Sequence, residues 1–212
     1  MTIKAIIFDF GQVLNAPVDE AAVQAHRAEL AARLGLPAAG LWPYLFEGEP
    51  AARWMTGRLS WEQYWQEVLA PVGLTDPADV TAFSREVFWG GEQIHPEMRD
   101  LLGRLHGRYQ LAVLSNADWT DQELADVLTN HYGLPAGLFD TIVTSASAGV
   151  VKPDPAIFHL VLQRLGVAPQ EAVFTDDMPN FTRAAGQLGL HAHTFTTPAA
   201  LRAYLAELGV LV

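Results

Sequence analysis

The sequence predicts an α/β fold in which a parallel sheet is covered by helices on both faces and is interrupted by a helical insertion. From residue 93 onward, short apolar runs alternate with segments whose apolar residues recur at helical spacing. Such alternation is typical of right-handed crossovers between parallel strands. Between residues 15 and 92 it stops, and helical patterns follow one another without a convincing strand. We therefore predict a sheet core of residues 1–14 and 93–212 and an inserted helical module of residues 15–92, rather than helices that extend a single core.

The predicted strands are short apolar runs, as expected for strands that are buried on both faces. The first, Ala5–Phe8, stands directly before Asp9. The others cover residues 111–114, 141–144, 172–175 and, more weakly, 191–195.

Helices are predicted between these runs from apolar spacing and from start signals. Thr120, followed three residues later by Glu123, is typical of a capping box. Asp154 before Pro155 is typical of an N-cap followed by the first helical residue. The helices of the core are predicted over residues 96–106 and 120–130, from residue 155, and over residues 180–188 and 198–208.

Within residues 15–92, four or five helices are predicted, separated by prolines and glycines. Ser60 is the expected N-cap of a helix over residues 61–70, and Thr75 or Asp76 precedes a further helix. Five of the six tryptophans of the chain lie in this module. The aromatic residues of its 61–70 helix recur at helical spacing, which predicts a packed apolar face more than a substrate pocket.

Composition excludes several classes of protein. The chain has 212 residues, half of them apolar, and a formal net charge of -11, which argues against a disordered protein and against nucleic-acid binding. It has no cysteine, so disulfides, thiolate catalysis and cysteine-ligated zinc are excluded and a cytoplasmic location is expected. Neither a signal peptide nor a membrane span is expected, because Asp9 interrupts the first apolar run and the longest uncharged stretch, residues 184–201, is too polar. The oligomeric state is left open.

Polar residues follow the predicted strands where those strands end. In a parallel sheet these ends share one edge, at which ligands bind. The residues are Asp9 after the first strand, Ser115 and Asn116 after the second, Lys152 downstream of the third, and Asp176 and Asp177 after the fourth.

Electrostatics limits what such a cluster can do. Two carboxylates about 4 Å apart repel by about 4 kcal/mol at an effective dielectric constant of about 20. Three of them therefore require raised pKa values or a cation, and Lys152 and a bound Mg²⁺ are the candidate cations. With a cation present, the edge could accept a phosphate, with the Ser115 hydroxyl and the backbone N–H groups after Asp9 and Ser115 as donors. Each residue alone has an ordinary structural explanation, but their coordinated placement favours a functional site.

The ordered set of motifs resembles the haloacid dehalogenase superfamily, in particular its phosphatase-like branch with a helical C1-type cap after the first strand. The matching segments stand in that family's order and extend over nearly the whole chain. They are residues 8–14 (FDFGQVL), 114–116 (LSN), 151–154 (VKPD) and 174–177 (FTDD). The resemblance implies a three-layer, Rossmann-like parallel sheet core with an inserted α-helical cap. The second half looks most like small sugar-phosphate phosphatases of this branch.

The resemblance also implies a role for each residue of the site. Asp9 is the expected nucleophile, and it forms an aspartyl-phosphate that water then cleaves. Mg²⁺ is expected on the Asp9 carboxylate, the Gly11 carbonyl and Asp177, with Asp176 as a ligand or a support. Lys152 is expected to bridge Asp9 and the phosphoryl group. The expected catalytic residues are Asp9, Ser115 and Lys152, and the expected phosphate-binding residues are Phe10, Gly11, Ser115, Asn116 and Lys152.

Two positions depart from the family pattern. The family usually has a second Asp two residues after the nucleophile, acting as acid and then as base, and this chain has Gly11 there. General acid–base catalysis contributes about 10²–10⁴-fold, so slow turnover is expected. The candidates to supply the proton instead are His26, Glu47 and Glu49. Phe181 stands where relatives often have Asn or Asp, with Asn180 one residue earlier.

Three functions are therefore distinguished. The first is a Mg²⁺-dependent phosphomonoester hydrolase that acts on a small phosphorylated metabolite such as a sugar phosphate. The second is a 2-haloacid dehalogenase, because such relatives lack the acid at position 11, although they need no Mg²⁺ and have no clear use for the Asp176–Asp177 pair. The third is a non-catalytic module that binds a phosphoryl ligand or a protein, which Gly11 alone supports.

Overall fold

The computed structural model describes residues 2–17, 20–55, 58–89 and 92–211. By its internal contacts the chain divides into two compact units, one of Met1–Ala16 with Gln93–Val212 and one of Pro17–Glu92. We call them the sheet unit and the helical unit. The sequence predicts this division after residues 14 and 92, so the first observed boundary lies two residues later.

The strands of the sheet unit confirm the predicted fold class. The described strands are β1 (Ala5–Phe8), β2 (Asn15–Pro17), β3 (Glu92–Ile94), β4 (Gln110–Ser115), β5 (Thr141–Thr144), β6 (Ala172–Asp176) and β7 (His191–Thr194). Five of them form one parallel sheet in the order β5–β4–β1–β6–β7. Phe8 of β1 lies opposite Val113 of β4 and Thr175 of β6, so the residues that follow these positions emerge at one edge.

The short strands β2 and β3 pair with each other as a second sheet. The expectation that residues 15–92 contain no strand is therefore wrong at both ends of that segment. Each of these strands has three residues, which is too short for a period of two to be distinguished from a helical period.

Helices separate the strands of the main sheet and make up the helical unit. The described α-helices are α1 (Glu20–Arg33), α2 (Leu41–Phe46), α3 (Glu49–Met55), α4 (Trp61–Leu69), α5 (Pro77–Trp89), α6 (Pro96–Leu105), α7 (Asp121–Asp126), α8 (Ser145–Ala148), α9 (Pro155–Leu165), α10 (Pro179–Gln187) and α11 (Pro198–Glu207).

The start signals of the core helices are present in the structure. The Thr120 hydroxyl accepts a hydrogen bond from the Glu123 N–H at 3.2 Å, and the Glu123 carboxylate accepts one from the Thr120 N–H at 2.8 Å. Asp154 caps α9 by accepting a backbone N–H at 2.8 Å. The helix predicted over residues 120–130 is α-helical only as far as Asp126. It continues as the π-helical segment Val127–His131.

Apolar packing under α9 fixes the main sheet. Ile7 of β1, Leu114 of β4 and Phe174 of β6 are fully buried against this helix. The rings of Phe158 and Phe174 meet edge to face at 5.3 Å. Full burial of a side chain of this size contributes about 1.5–3 kcal/mol, so the strand ends that carry the polar residues are firmly positioned.

The helical unit has an aromatic core of its own. Ser60 forms a capping box at the start of α4, and Asp76 caps α5 by accepting a backbone N–H at 2.9 Å. Tyr64 and Trp65 of α4 are fully buried, whereas Trp42 is 38% exposed. The packed apolar face predicted for this helix is thus confirmed at Tyr64 and Trp65. Among the described helices of the whole chain, none has the length and apolarity needed to cross a membrane.

Candidate active site

The sheet brings two of the predicted carboxylates together. Asp9 follows β1 directly, and its N–H donates to the Thr175 carbonyl of β6 at 2.9 Å. Because β1 and β6 are parallel and in register, Asp9 and Asp176 lie at the same edge of neighbouring strands. Both residues are buried, Asp176 completely.

The Lys152 ammonium lies between these two carboxylates. Its Nζ is 2.8 Å from Asp9 Oδ1 and 2.6 Å from Asp176 Oδ2, and the lysine side chain is 1% exposed. The ring of Phe181 lies 5.1 Å from Nζ, within the range of a cation–π interaction. The residue that departs from the family pattern therefore packs against the lysine, a contact that sequence reasoning missed because the two residues lie far apart in the chain.

Three carboxylates form a group that fits a divalent metal ion. Oxygen atoms of Asp9, Asp176 and Asp177 lie within 4.8 Å of one another. Hard carboxylate oxygens of this kind suit Mg²⁺. The group carries three negative charges against the single positive charge of Lys152, so its net charge also favours a second cation. Both oxygens of Asp176 accept hydrogen bonds, Oδ2 from the Lys152 ammonium and Oδ1 from the Met178 N–H at 2.9 Å.

Burial shifts the protonation of the cluster. It raises the pKa of Asp9 to about 6, with the Lys152 ammonium opposing the shift and the charge of Asp176 adding to it. Burial and the charge of Asp176 also raise the pKa of Asp177. At neutral pH the Asp9 carboxylate is therefore predominantly ionised, which is the form in which it can act as a nucleophile.

Ser115 and Asn116 stand where β4 ends, next to β1 in the sheet. Ser115 is buried. The Asn116 carboxamide bonds to the backbone of Lys152: its Oδ1 accepts the Lys152 N–H at 2.7 Å, and its Nδ2 donates to the Lys152 carbonyl at 3.1 Å. Nothing in the sequence signals this pair of bonds. The phosphate-binding roles of Ser115 and Asn116 stay predictions.

The chain turns sharply after Asp9. The buried Phe10 ring contacts Trp119 and Tyr132 edge to face, at 5.9 and 5.7 Å, so its side chain packs and only its backbone could face a phosphate. Gln12 has a φ of 58°, in the left-handed region that costs a non-glycine residue energy. Such a conformation at the loop after Asp9 is typical of a functional site.

Gly11 leaves room where the family usually places an acid. A Cβ built on Gly11 meets no atom within 4 Å. The alternative proton donors belong to the helical unit. There the His26 Nε2 lies 2.9 Å from the Glu86 carbonyl oxygen. Glu49 pairs with Arg53 at 3.4 Å, and both side chains are solvent-accessible.

A family model for haloacid dehalogenase-like hydrolases matches residues 3–189. The chain belongs to this family. The predicted superfamily is thereby confirmed, and the protein is a haloacid dehalogenase-like hydrolase.

Curated relatives of this hydrolase match it in part. One is the "Acyl-CoA dehydrogenase family member 10" of Mus musculus, 43% identical over 74 residues, which are 31% of this chain and 7% of the relative. Another is the "Haloacid dehalogenase-like hydrolase domain-containing protein 3" of Xenopus laevis, 29% identical over 70% of this chain and 62% of the relative. The "Fructose-1-phosphate phosphatase YqaB" of Escherichia coli is 32% identical over 44% of this chain and 47% of the relative. The chain thus spans less than two thirds of each of these relatives.

Solved structures share the fold of this hydrolase over most of its length. A HAD family enzyme of Bacteroides thetaiotaomicron, in complex with magnesium and inorganic phosphate, is 21% identical. The alignment covers 92% of this chain and 94% of the other, with a TM-score of 0.60. The 2-haloacid dehalogenase of Pseudomonas syringae is 24% identical over 97% and 99% of the two chains, with a TM-score of 0.61.

Proposed function

We propose that this hydrolase is a Mg²⁺-dependent phosphomonoester hydrolase of a small phosphorylated metabolite, with sugar phosphates as the first candidates. The observation that carries the proposal is the buried contact of Lys152 with Asp9 and Asp176, beside the half-buried carboxylate of Asp177. This arrangement offers an ionised nucleophile and positive charge at one point. The similarity to a fructose-1-phosphate phosphatase supports the same reaction class.

Asp9 is the nucleophile in the first half of the reaction and the leaving group in the second. One carboxylate oxygen attacks phosphorus, the bond from phosphorus to the leaving oxygen breaks, and that oxygen takes up a proton. Water then attacks phosphorus in the aspartyl-phosphate, which restores the Asp9 carboxylate and releases inorganic phosphate. Lys152 holds the carboxylate in its ionised form and offsets phosphoryl charge, which is the main requirement when an anion attacks an anion.

A metal ion would complete the neutralisation. Asp9, Asp177 and the Gly11 carbonyl would hold Mg²⁺, with Asp176 as a further ligand or as the partner of Lys152. Bound there, it supplies positive charge for the phosphoryl oxygens. The helical unit is, in this proposal, the cap that selects the leaving group.

Gly11 accounts for the expected substrate range. Because position 11 carries no acid, the leaving oxygen must take its proton from solvent or from a residue of the helical unit. Phosphate esters with acidic leaving groups, which need little protonation, should therefore be hydrolysed best.

Turnover of p-nitrophenyl phosphate tests the proposal. We expect activity that requires Mg²⁺, is abolished by EDTA and is lost in Asp9→Asn. Asp126→Asn is the matched control, because it makes the same change at an exposed position of α7 and should leave activity unchanged. Equal activity of the wild type and Asp9→Asn would remove Asp9 as the nucleophile.

A 2-haloacid dehalogenase is the second candidate, favoured by Gly11. The similarity to the dehalogenase of Pseudomonas syringae supports only the shared fold at this level of identity. Release of halide from 2-chloropropionate without Mg²⁺, together with no hydrolysis of phosphate esters, would establish this candidate in place of the first. Mg²⁺-dependent binding of phosphate without turnover on a broad panel of substrates would instead indicate a module that has lost catalysis.

A further inference from the structure

Lys152 does not adjoin a strand of the sheet, unlike the two carboxylates that it joins. Asp9 adjoins β1 and Asp176 ends β6, whereas Lys152 lies in a turn between α8 and α9. The preceding residue, Val151, is 55% exposed. The buried position of the ammonium therefore depends on what holds the loop.

Asn116 holds this loop at the lysine itself. Its carboxamide makes a reciprocal pair of hydrogen bonds with the N–H and the carbonyl of Lys152, at 2.7 and 3.1 Å. This fixes the peptide groups on both sides of the Lys152 Cα, from which the side chain extends to Asp9 and Asp176.

Asn116 is itself anchored on both sides. Ser115, before it, lies opposite Thr144 in the register of β4 and β5. Ala117, after it, donates its N–H to the Ser145 hydroxyl at 3.0 Å, and that hydroxyl donates to the Ala117 carbonyl at 2.9 Å. These contacts fix the backbone on both sides of Asn116, and with it the point from which the carboxamide reaches Lys152.

We propose that Asn116 is a positioning residue that places the Lys152 ammonium between Asp9 and Asp176. The inference rests on the proposed function, because it concerns how that same site is assembled. It differs from the phosphate-binding role that the sequence predicts for Asn116, since the carboxamide oxygen and one amide hydrogen are already used on the lysine backbone.

The chain offers a direct readout, because it contains two lysines, Lys4 and Lys152. The Lys4 side chain is 57% exposed, whereas that of Lys152 is 1% exposed. Acylation by an amine-reactive ester, followed by peptide mass spectrometry, therefore reports the accessibility of Lys152 against an internal standard in the same molecule.

We expect Lys152 to react far more slowly than Lys4 in the wild-type protein. In Asn116→Ala, loss of the two hydrogen bonds should speed Lys152 acylation about tenfold at an unchanged Lys4 rate. The same variant should lower kcat for p-nitrophenyl phosphate about 10²-fold, as expected for a small displacement of a charged group. In Asn116→Asp, a carboxylate oxygen faces the Lys152 carbonyl, so acylation should change in the same direction.

Two controls separate positioning from general loosening. Asn130→Ala removes an exposed asparagine of the sheet unit. It should change neither the rate of Lys152 acylation nor kcat. Leu205→Ala removes a fully buried side chain of α11 and should lower Tm while Lys152 stays protected.

The proposal is overturned if Lys152 stays protected in folded Asn116→Ala and Asn116→Asp, whatever happens to activity. A weaker inhibition by inorganic phosphate with Lys152 still protected would identify Asn116 as a phosphate ligand and also overturn it. If Asn116→Ala does not fold, Asn116→Asp decides. If the wild type hydrolyses no phosphate ester, the proposed function fails, and the acylation rates still decide the role of Asn116.

Discussion

The sheet unit and the helical unit bury different kinds of side chain. In the described part of the chain, the buried charged residues are Asp9, Lys152 and Asp176, all at one edge of the main sheet. The helical unit is built around apolar and aromatic residues such as Tyr64 and Trp65. Burying a charged group costs free energy even when the group is paired. The confinement of these three charged residues to one edge of the sheet is therefore better explained by a catalytic role than by stability. Substitutions in the two units should therefore separate activity from stability.

The largest effect is expected from Asp9→Asn. Loss of the nucleophile should lower kcat about 10⁴-fold or more. Tm should stay the same or rise, because one of three clustered carboxylates is replaced by a neutral amide of the same shape. Steady-state kinetics and thermal unfolding measure the two effects. If Asp9→Asn lost activity only because it unfolds, Asp9 would be a structural residue. The proposed separation of activity from stability between the two units would then be wrong.

In the helical unit, Trp65→Ala should mainly lower stability, whereas Asp9→Asn should mainly lower activity. Removing this fully buried ring should lower the free energy of unfolding of that unit by about 3–5 kcal/mol, as measured by urea denaturation. Trp42→Ala is the matched control, because Trp42 is 38% exposed and stacks with Arg27. It should cost about 1 kcal/mol or less. Equal losses in the two variants would contradict the assigned aromatic core.

Gly11→Asp should raise activity. A Cβ at this position meets no atom within 4 Å, and a general acid contributes about 10²-fold or more. The gain should be larger for an alkyl phosphate than for p-nitrophenyl phosphate, whose leaving group needs less protonation. Gly11→Asn, which has the same shape without the acid, should show no gain. An equal gain from both variants would exclude proton transfer as the cause.

A smaller effect is expected away from the site. Burial alone would raise the pKa of Asp121, but hydrogen bonds from Arg164 and Thr144 lower it below its usual 3.8. A carboxyl whose pKa is lowered on folding stabilises the protein above its usual pKa and loses that contribution as the pH falls through the folded value. Asp121→Asn should therefore cost about 1 kcal/mol near neutral pH and less as the pH falls below the usual carboxyl pKa of 3.8, as measured by urea midpoints. A cost that does not change with pH would contradict the ion pair.

Much of the sheet unit could be predicted from the sequence. Strands buried on both faces leave continuous apolar runs, and parallel strands bring the residues that follow them to one edge. This reasoning placed Asp9 and Asp176 together. It did not find β2 and β3, because three residues carry no readable period.

Contacts between distant loops could not be predicted in the same way. The bonds of Asn116 to Lys152 and the packing of Phe181 on the ammonium depend on how separate loops meet in space. The spacing of residues along the chain does not predict such contacts.

The central claim is that Asp9 carries the phosphoryl group during turnover. Rapid acid quench of the protein with p-nitrophenyl phosphate and Mg²⁺, followed by peptide mass spectrometry, measures this directly. The result we predict is one added phosphoryl group on Asp9, absent when Mg²⁺ is omitted. Turnover accompanied by a phosphoryl group on any other residue would contradict the claim.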